Sequence, residues 1–167
     1  MKIKLALCAI VVSASAIALG QQVSVNYNHS QSFAAYHTYI WASNNANQIQ
    51  NSILAQVAQT DIDNAMTAKG FTKVTADKNP DIILLASGGM RQQTSYSAWG
   101  MRGIGGGMGG ITPEQNVEAT LIVDLHDAKT QSLVWRGIAQ DTLSNNGNKN
   151  QQAVQNAINK MFKQWPK

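Results

Sequence analysis

Residues 118–143 read EATLIVDLHDAKTQSLVWRGIAQDTL. Two segments of alternating apolar and polar residues flank a polar hexapeptide, DAKTQS, the pattern of a β-hairpin. Residues two apart on a strand share a face. Leu121, Val123 and Leu125 therefore line one face with Leu133 and Trp135, while Asp124, His126 and Arg136 take the other. If the turn leaves the register even, Arg136 stands opposite Asp124. A cross-strand ion pair of that kind contributes about 0.2–1 kcal/mol at an exposed site.

The rest of the chain supplies what such a hairpin packs against. DIILLAS (81–87) is a continuous apolar run too short for a helix, so it reads as a buried central strand. Val23, Val25 and Tyr27 alternate with polar residues, and TYIW (38–41) is a second β-favouring run; residues 71–75 suggest a short strand and residues 44–50, rich in amides, a loop. Ile53, Leu54, Val57, Ala58, Ile62, Ala65 and Met66 keep helical spacing, with Ser52 expected as N-cap and Gly70 at the C-terminal end. A second helical stripe runs through Ala153, Val154, Ala157, Ile158, Met161, Phe162 and Trp165, stopped by Pro166. The expected fold is α+β: a mainly antiparallel sheet with two amphipathic helices packed on one face, a two-layer sandwich. Most aromatic residues (Tyr36, Tyr39, Trp41, Trp135, Phe162, Trp165) fall on apolar faces of these elements and read as core.

Residues 1–20 read as a signal peptide: Lys2 and Lys4, an apolar run from Leu5, and small residues Ala18 and Gly20 before a cut at Gln21. Cys8 is the chain's single cysteine and follows bulky Leu7, a poor lipidation context. The expected mature product, residues 21–167, thus has no disulfide and no thiolate metal site. Loss of Lys2 and Lys4 lowers the net charge from +4 to +2, which weakens the case for a polyanionic partner. No later stretch is long and apolar enough to span a bilayer. Polarity comes largely from 16 Gln and 15 Asn. The expectation is a single domain, periplasmic or secreted and soluble after cleavage.

Residues 91–115 fit none of these elements. They hold Arg91, Tyr96, Trp99, Arg102 and the tract GIGGGMGG, and read as a long Gly/Met-rich loop. Aromatics interleaved with arginines suit stacking on a ligand or partner, so these four residues are the candidate binding set. Gly105, Gly107 and Gly110 match G-x-G-x-x-G, but a strand rather than a helix is expected after them, which excludes a dinucleotide fingerprint. His29, His37 and His126 form no metal-ligand spacing. No cofactor, metal or catalytic residue is expected.

Four blocks resemble a bacterial envelope family, domain-of-unknown-function family 4136. They are F-x-x-Y-x-T-Y-x-W (Phe33, Tyr36, Thr38, Tyr39, Trp41), AMTAKGF (65–71), NPDIIL (79–84) and ATLIVDLHDAKTQSLVWRG (119–137). The resemblance implies an exported α+β domain, often a lipoprotein, with no established activity; Gly20-Gln21 stands where a lipoprotein would carry its cysteine. The functional expectation is a non-catalytic envelope module that binds an envelope protein or glycan and no nucleic acid. Two alternatives are a hydrolase built on Asp124 and His126, and a self-associating envelope protein.

Overall fold

In chain order the elements are β1 (Gln22–Tyr27), β2 (Thr38–Trp41), β3 (Asn47–Ile49), α1 (Ser52–Ala68), β4 (Thr72–Lys73), β5 (Ile82–Trp99), β6 (Gly110–Asp127), β7 (Leu133–Leu143) and α2 (Gly147–Lys163). The computed structural model describes residues 21–42, 47–99 and 110–166; the leader expected over residues 1–20 lies outside them. The strands form one sheet in the order β1-β7-β6-β5-β2-β4, with β3 beside β5. The pairings β1·β7, β7·β6 and β6·β5 are antiparallel, whereas β2 and β3 run parallel to β5 and β4 parallel to β2. The fold is α+β, a mostly antiparallel mixed sheet with both helices packed on it.

One parity rule organises the core. Ile82, Leu84 and Ala86 of β5, Leu121, Val123 and Leu125 of β6, Trp135 and Ala139 of β7 and Tyr39 of β2 are all buried, and the register places them on one face. Against that face lie Leu54, Ala55, Ala58, Ile62 and Met66 of α1 and Ala157, Ile158, Met161 and Phe162 of α2. Each buried Leu, Ile, Val, Met or Phe among them gains about 1.5–3 kcal/mol by leaving water, which holds both helices on the sheet. At the end of the sheet near the β6–β7 turn, Trp165 sits 5.4–5.7 Å by ring centroid from Phe33, Phe71, Trp135 and Phe162.

Helix α1 ends in a Schellman motif. Gly70, at φ +89°, occupies the left-handed position that favours glycine. Its N–H donates to Thr67 O at 2.9 Å and that of Phe71 to Met66 O at 3.0 Å. The N-cap is Asn51 rather than the expected Ser52: Asn51 Oδ1 accepts from the N–H of Ile53 and of Leu54, both at 3.1 Å. Asparagine is among the preferred N-cap residues.

Three further expectations are corrected. Residues 47–49, expected as loop, form β3, because the β5 edge at Ala86–Gly88 offers backbone partners that the amide-rich segment satisfies. Leu133, expected to share the inner face with Trp135, is 40% exposed. The register slips at Leu125/His126, leaving Val134 as an extra residue; this bulge buries Val134 and Trp135 consecutively and turns Leu133 outward. Finally, the segment expected as a Gly/Met-rich loop at 91–115 is strand at both described ends, with β5 running to Trp99 and β6 starting at Gly110. Residues 91–99 carry Thr, Tyr and Trp, which suit a strand, and each finds its ladder partner across the hairpin.

Candidate functional site

The overrun of β5 and β6 creates an arm. β7 leaves β6 at Val117, opposite Leu143, and β3 leaves β5 at Gly88. From Gln93↔Asn116 to Trp99↔Gly110 the two strands pair only with each other, so a ribbon about 25 Å long projects beyond the sheet at about 3.4 Å per residue. Pro113 falls in this stretch of β6, where β5 is the strand's one neighbour among the described residues, the edge position at which proline is tolerated in sheets.

Parity carries the core face onto the arm. Even residues of β5 and odd residues of β6 face the helices lower down; at the base of the arm those positions belong to Met90, Gln92 and Thr94, and to Ala119, Val117 and Gln115. Among the described residues no helix lies over this strip. Met90, at its root, is 41% exposed.

Beside the root, between the sheet and the N-terminal turns of both helices, is a cavity of ≈ 60 Å³. Ile49, Leu54, Leu121, Leu143 and Val154 supply apolar wall, and Gly88, Gly89, Ala119 and Ala139 keep its floor low. A Cβ on Gly88 would lie 3.0 Å from Ile49 Cγ1 and 3.3 Å from Thr120 O, so a larger residue there presses on β3. Gln21 stands at the rim: its Nε2 donates to Ala153 O at 2.7 Å and to Asp141 Oδ2 at 3.1 Å, while its buried Oε1 has no partner.

The candidate binding residues distribute along the arm. Arg91 is 80% exposed, with Nη2 3.5 Å from Glu118 Oε2. Tyr96 pairs in register with Pro113 and Trp99 with Gly110. Arg102 lies outside the described residues.

Asp124 and Arg136 are register partners on the sheet face away from the helices. Arg136 Nε and Nη2 donate to Asp124 Oδ1 and Oδ2 at 2.6 and 2.7 Å. His126 Nδ1 is 3.2 Å from Gln131 O. Both Asp124 oxygens are thus taken by guanidinium, and the imidazole is anchored to the β6–β7 turn, so the carboxylate-oriented histidine required of a hydrolase is not assembled. Sequence spacing placed Asp124 and His126 on one face and Arg136 opposite Asp124, and the register pairs Asp124 with Arg136.

The other carboxylates hold the fold together. Asp63 accepts from Tyr39 Oη at 2.7 Å and Trp41 Nε1 at 2.8 Å, and its second oxygen meets Lys73 Nζ at 2.9 Å. Burial opposes its ionisation, yet the bonds from Tyr39, Lys73 and Trp41 together hold the carboxyl below its usual value. Asp81 Oδ2 accepts from the N–H of His37 and of Thr38 and from Thr38 Oγ1 at 2.9–3.0 Å. Asp127 binds the turn through the N–H of Lys129 and Thr130 and accepts from Tyr36 Oη at 2.9 Å. Burial, reinforced by that bond, pushes the Tyr36 phenol up to about 12. Sequence reasoning did not single out Asp63; its signal is the Tyr39-x-Trp41 pair, two residues with polar tips on a core-facing strand. Among the described residues no group of three or more His, Cys, Asp or Glu is placed to hold a metal ion.

A family model for a domain of unknown function, DUF4136, matches residues 23–167. The chain belongs to this family. Three solved structures share the fold of this DUF4136 chain. A PDZ domain protein from Parabacteroides distasonis matches with TM-score 0.56 at 16% identity over 87% of this chain and 36% of that one; the chain thus spans about a third of that protein's length. A DUF4136 family protein from Bacteroides thetaiotaomicron matches with TM-score 0.53 at 15% identity, over 86% and 95% of the two chains. A PelC variant dodecamer from Paraburkholderia phytofirmans matches with TM-score 0.50 at 17% identity, over 83% and 94%. No curated protein matches the DUF4136 chain. Among its described residues no helix is long and apolar enough to cross a membrane.

Proposed function

We propose that this chain is an exported, non-catalytic module of the bacterial envelope that binds a protein partner through the β5–β6 arm and the cleft at its root. One observation carries the reading: a strip of core parity continues past the helices onto a ribbon over which, among the described residues, no helix lies. Two-stranded ribbons are at best marginally stable in water by themselves, so a surface that packs against this one is the natural complement. Tyr96, Trp99, Arg91 and Arg102 are the contact residues of this reading, with the aromatics offering large area at low entropic cost. The leader-like residues 1–20 support export to the periplasm or outside the cell. A dodecameric relative in fold supports an assembly role.

The test is a photo-crosslinking amino acid at position 94 in the native host. One reproducible protein adduct is expected, with none from the same probe at Lys129 in the far turn. An adduct-free arm sinks the reading.

A second reading, glycan binding, is favoured by the furrow between the helices. Gln56, Thr60, Asp61, Asn148, Gln151 and Gln155 line it, groups that both donate to and accept from sugar hydroxyls. Titration with neutral oligosaccharides, compared between the native chain and Gln151→Leu, tests this; identical curves exclude the furrow.

A further inference from the structure

The side-chain amide of Gln21 is held at both ends. Its Nε2 donates to Ala153 O of α2 at 2.7 Å and to Asp141 Oδ2 of β7 at 3.1 Å, so both of its N–H groups are used. Its Oε1 is buried without a partner, although a buried carbonyl ordinarily finds a donor. The register that pairs Gln22 with Gln140 sets Gln21 beside Asp141, just ahead of β1. One residue thus ties the entry of the chain to β7 and α2 at the rim of the cleft.

The same residue becomes the N-terminus when residues 1–20 are removed before Gln21. An N-terminal glutamine has a reaction of its own. The uncharged α-amine attacks the side-chain Cδ; a bond forms between Nα and Cδ, and the bond from Cδ to Nε2 breaks. Nε2 takes up the proton that Nα sheds and leaves as ammonia. The product is a neutral lactam, pyroglutamate, and no oxidant or reductant takes part.

The surroundings of the amide oppose each stage. Attack on Cδ drives negative charge onto Oε1, and such an oxyanion is stabilised by donors aimed at it. Here the oxygen has none and is buried. Departure of ammonia breaks the bonds of Nε2 to Ala153 and Asp141. Ring closure also ties Cδ to the residue's own backbone nitrogen, whereas in the fold the amide reaches across to α2.

Resting on the export reading above, we infer that the fold shields Gln21 from this cyclisation, so that the mature chain keeps its free α-amine at the cleft rim. That amine is largely protonated at neutral pH. A lactam in its place would carry no charge and would deprive Asp141 and Ala153 of their donor. A partner that reaches the cleft therefore meets an ammonium group on the side of Gln21.

The chain recovered from its host, with its N-terminus identified by intact mass, tests this. Cyclisation is followed as loss of the mass of one ammonia from the N-terminal peptide, in neutral buffer and in the same buffer with denaturing guanidinium chloride. The folded chain is expected to cyclise at least about tenfold more slowly, equivalent to 1.4 kcal/mol. Asp141→Ala removes one acceptor of Nε2 and raises the folded rate severalfold. Asp141→Asn keeps a side-chain oxygen there and stays near the native rate, and neither substitution changes the rate in guanidinium chloride. Equal rates in the folded and denatured chains overturn the inference and leave the export reading standing. So does a folded Asp141→Ala chain that cyclises no faster than the native one, or an envelope chain that is uncut or cut elsewhere. A cytoplasmic chain with residues 1–20 intact overturns the export reading together with the inference.

Discussion

A Cβ on Gly137 would lie 2.7 Å from Trp135 Cη2 and 2.8 Å from Met161 Sδ. The indole of Trp135 folds back over the residue two positions along its own strand, and α2 lays Met161 into the same space. Both side chains are fully buried, so neither can yield outward. Gly137→Ala is expected to destabilise the protein by about 1–3 kcal/mol through overpacking. Urea unfolding reads this as a lower midpoint at unchanged slope; an unchanged midpoint would show that the helix shifts freely.

Asp63 joins α1 to β2 and to Lys73 at the end of β4. Removing its carboxylate leaves the hydroxyl of Tyr39 and the indole N–H of Trp41 without their acceptor. Asp63→Ala should cost about 2–3 kcal/mol. Lys73→Ala, at the exposed arm of the same cluster, should cost well under 1 kcal/mol. Comparable losses in the two variants would refute this division.

Asp63 also sets a pH dependence. Its folded pKa lies below the ordinary carboxyl value, so its contribution is complete above the unfolded pKa and is lost as pH falls through the folded one. Thermal midpoints of the native chain and Asp63→Asn should converge as pH drops below about 4. A gap that stays constant down to pH 2 would exclude the linkage.

Asp61 behaves in the opposite sense. Burial raises its pKa, a hydrogen bond from Gln155 only partly offsets this, and its Oδ2 is buried without a partner. Because the folded protein holds this proton more tightly, stability falls as pH rises from the unfolded to the folded pKa. Asp61→Asn keeps the acceptor for Gln155 and removes the charge. The variant should therefore be more stable at neutral pH by about 0.5–1 kcal/mol, with the advantage vanishing in acid. Equal midpoints at pH 7 would contradict it.

The Asp124–Arg136 pair makes two short bonds but lies partly in solvent, with side chains 14% and 41% exposed. A double-mutant cycle to alanine should return a coupling of about 0.5–1 kcal/mol, reduced by salt. A coupling near zero would mean that water replaces the pair without loss.

Most of this architecture was legible because period-two and helical patterns survive packing. The β6–β7 hairpin, the buried β5 run and both helix stripes follow directly from spacing. What spacing missed came from backbone partners supplied elsewhere in the chain. β3 exists because β5 presents an edge to an amide-rich segment with little strand propensity. Leu133 points outward because a one-residue bulge reverses the alternation that Trp135 suggested. The arm was obscured by its own composition: Gly-rich residues next to Ser, Gln and Thr read as loop, while its strand character lies in a register that only two paired segments reveal. At the site, sequence identified Arg91, Tyr96 and Trp99 as chemically suggestive but not that they lie on a paired strand.

The molecule has two distinct poles. Gln21, where the described chain enters the fold, sits at the arm's root and on the cleft rim, whereas Trp165 packs with Trp135 and Phe71 at the far end of the sheet. Anything attached ahead of Gln21 therefore crowds the arm, and anything attached after Trp165 leaves it clear. Immobilising the protein by its C-terminal end displays the arm outward; immobilising it by the N-terminal end turns that surface towards the support and masks the contacts an experimenter would be trying to see.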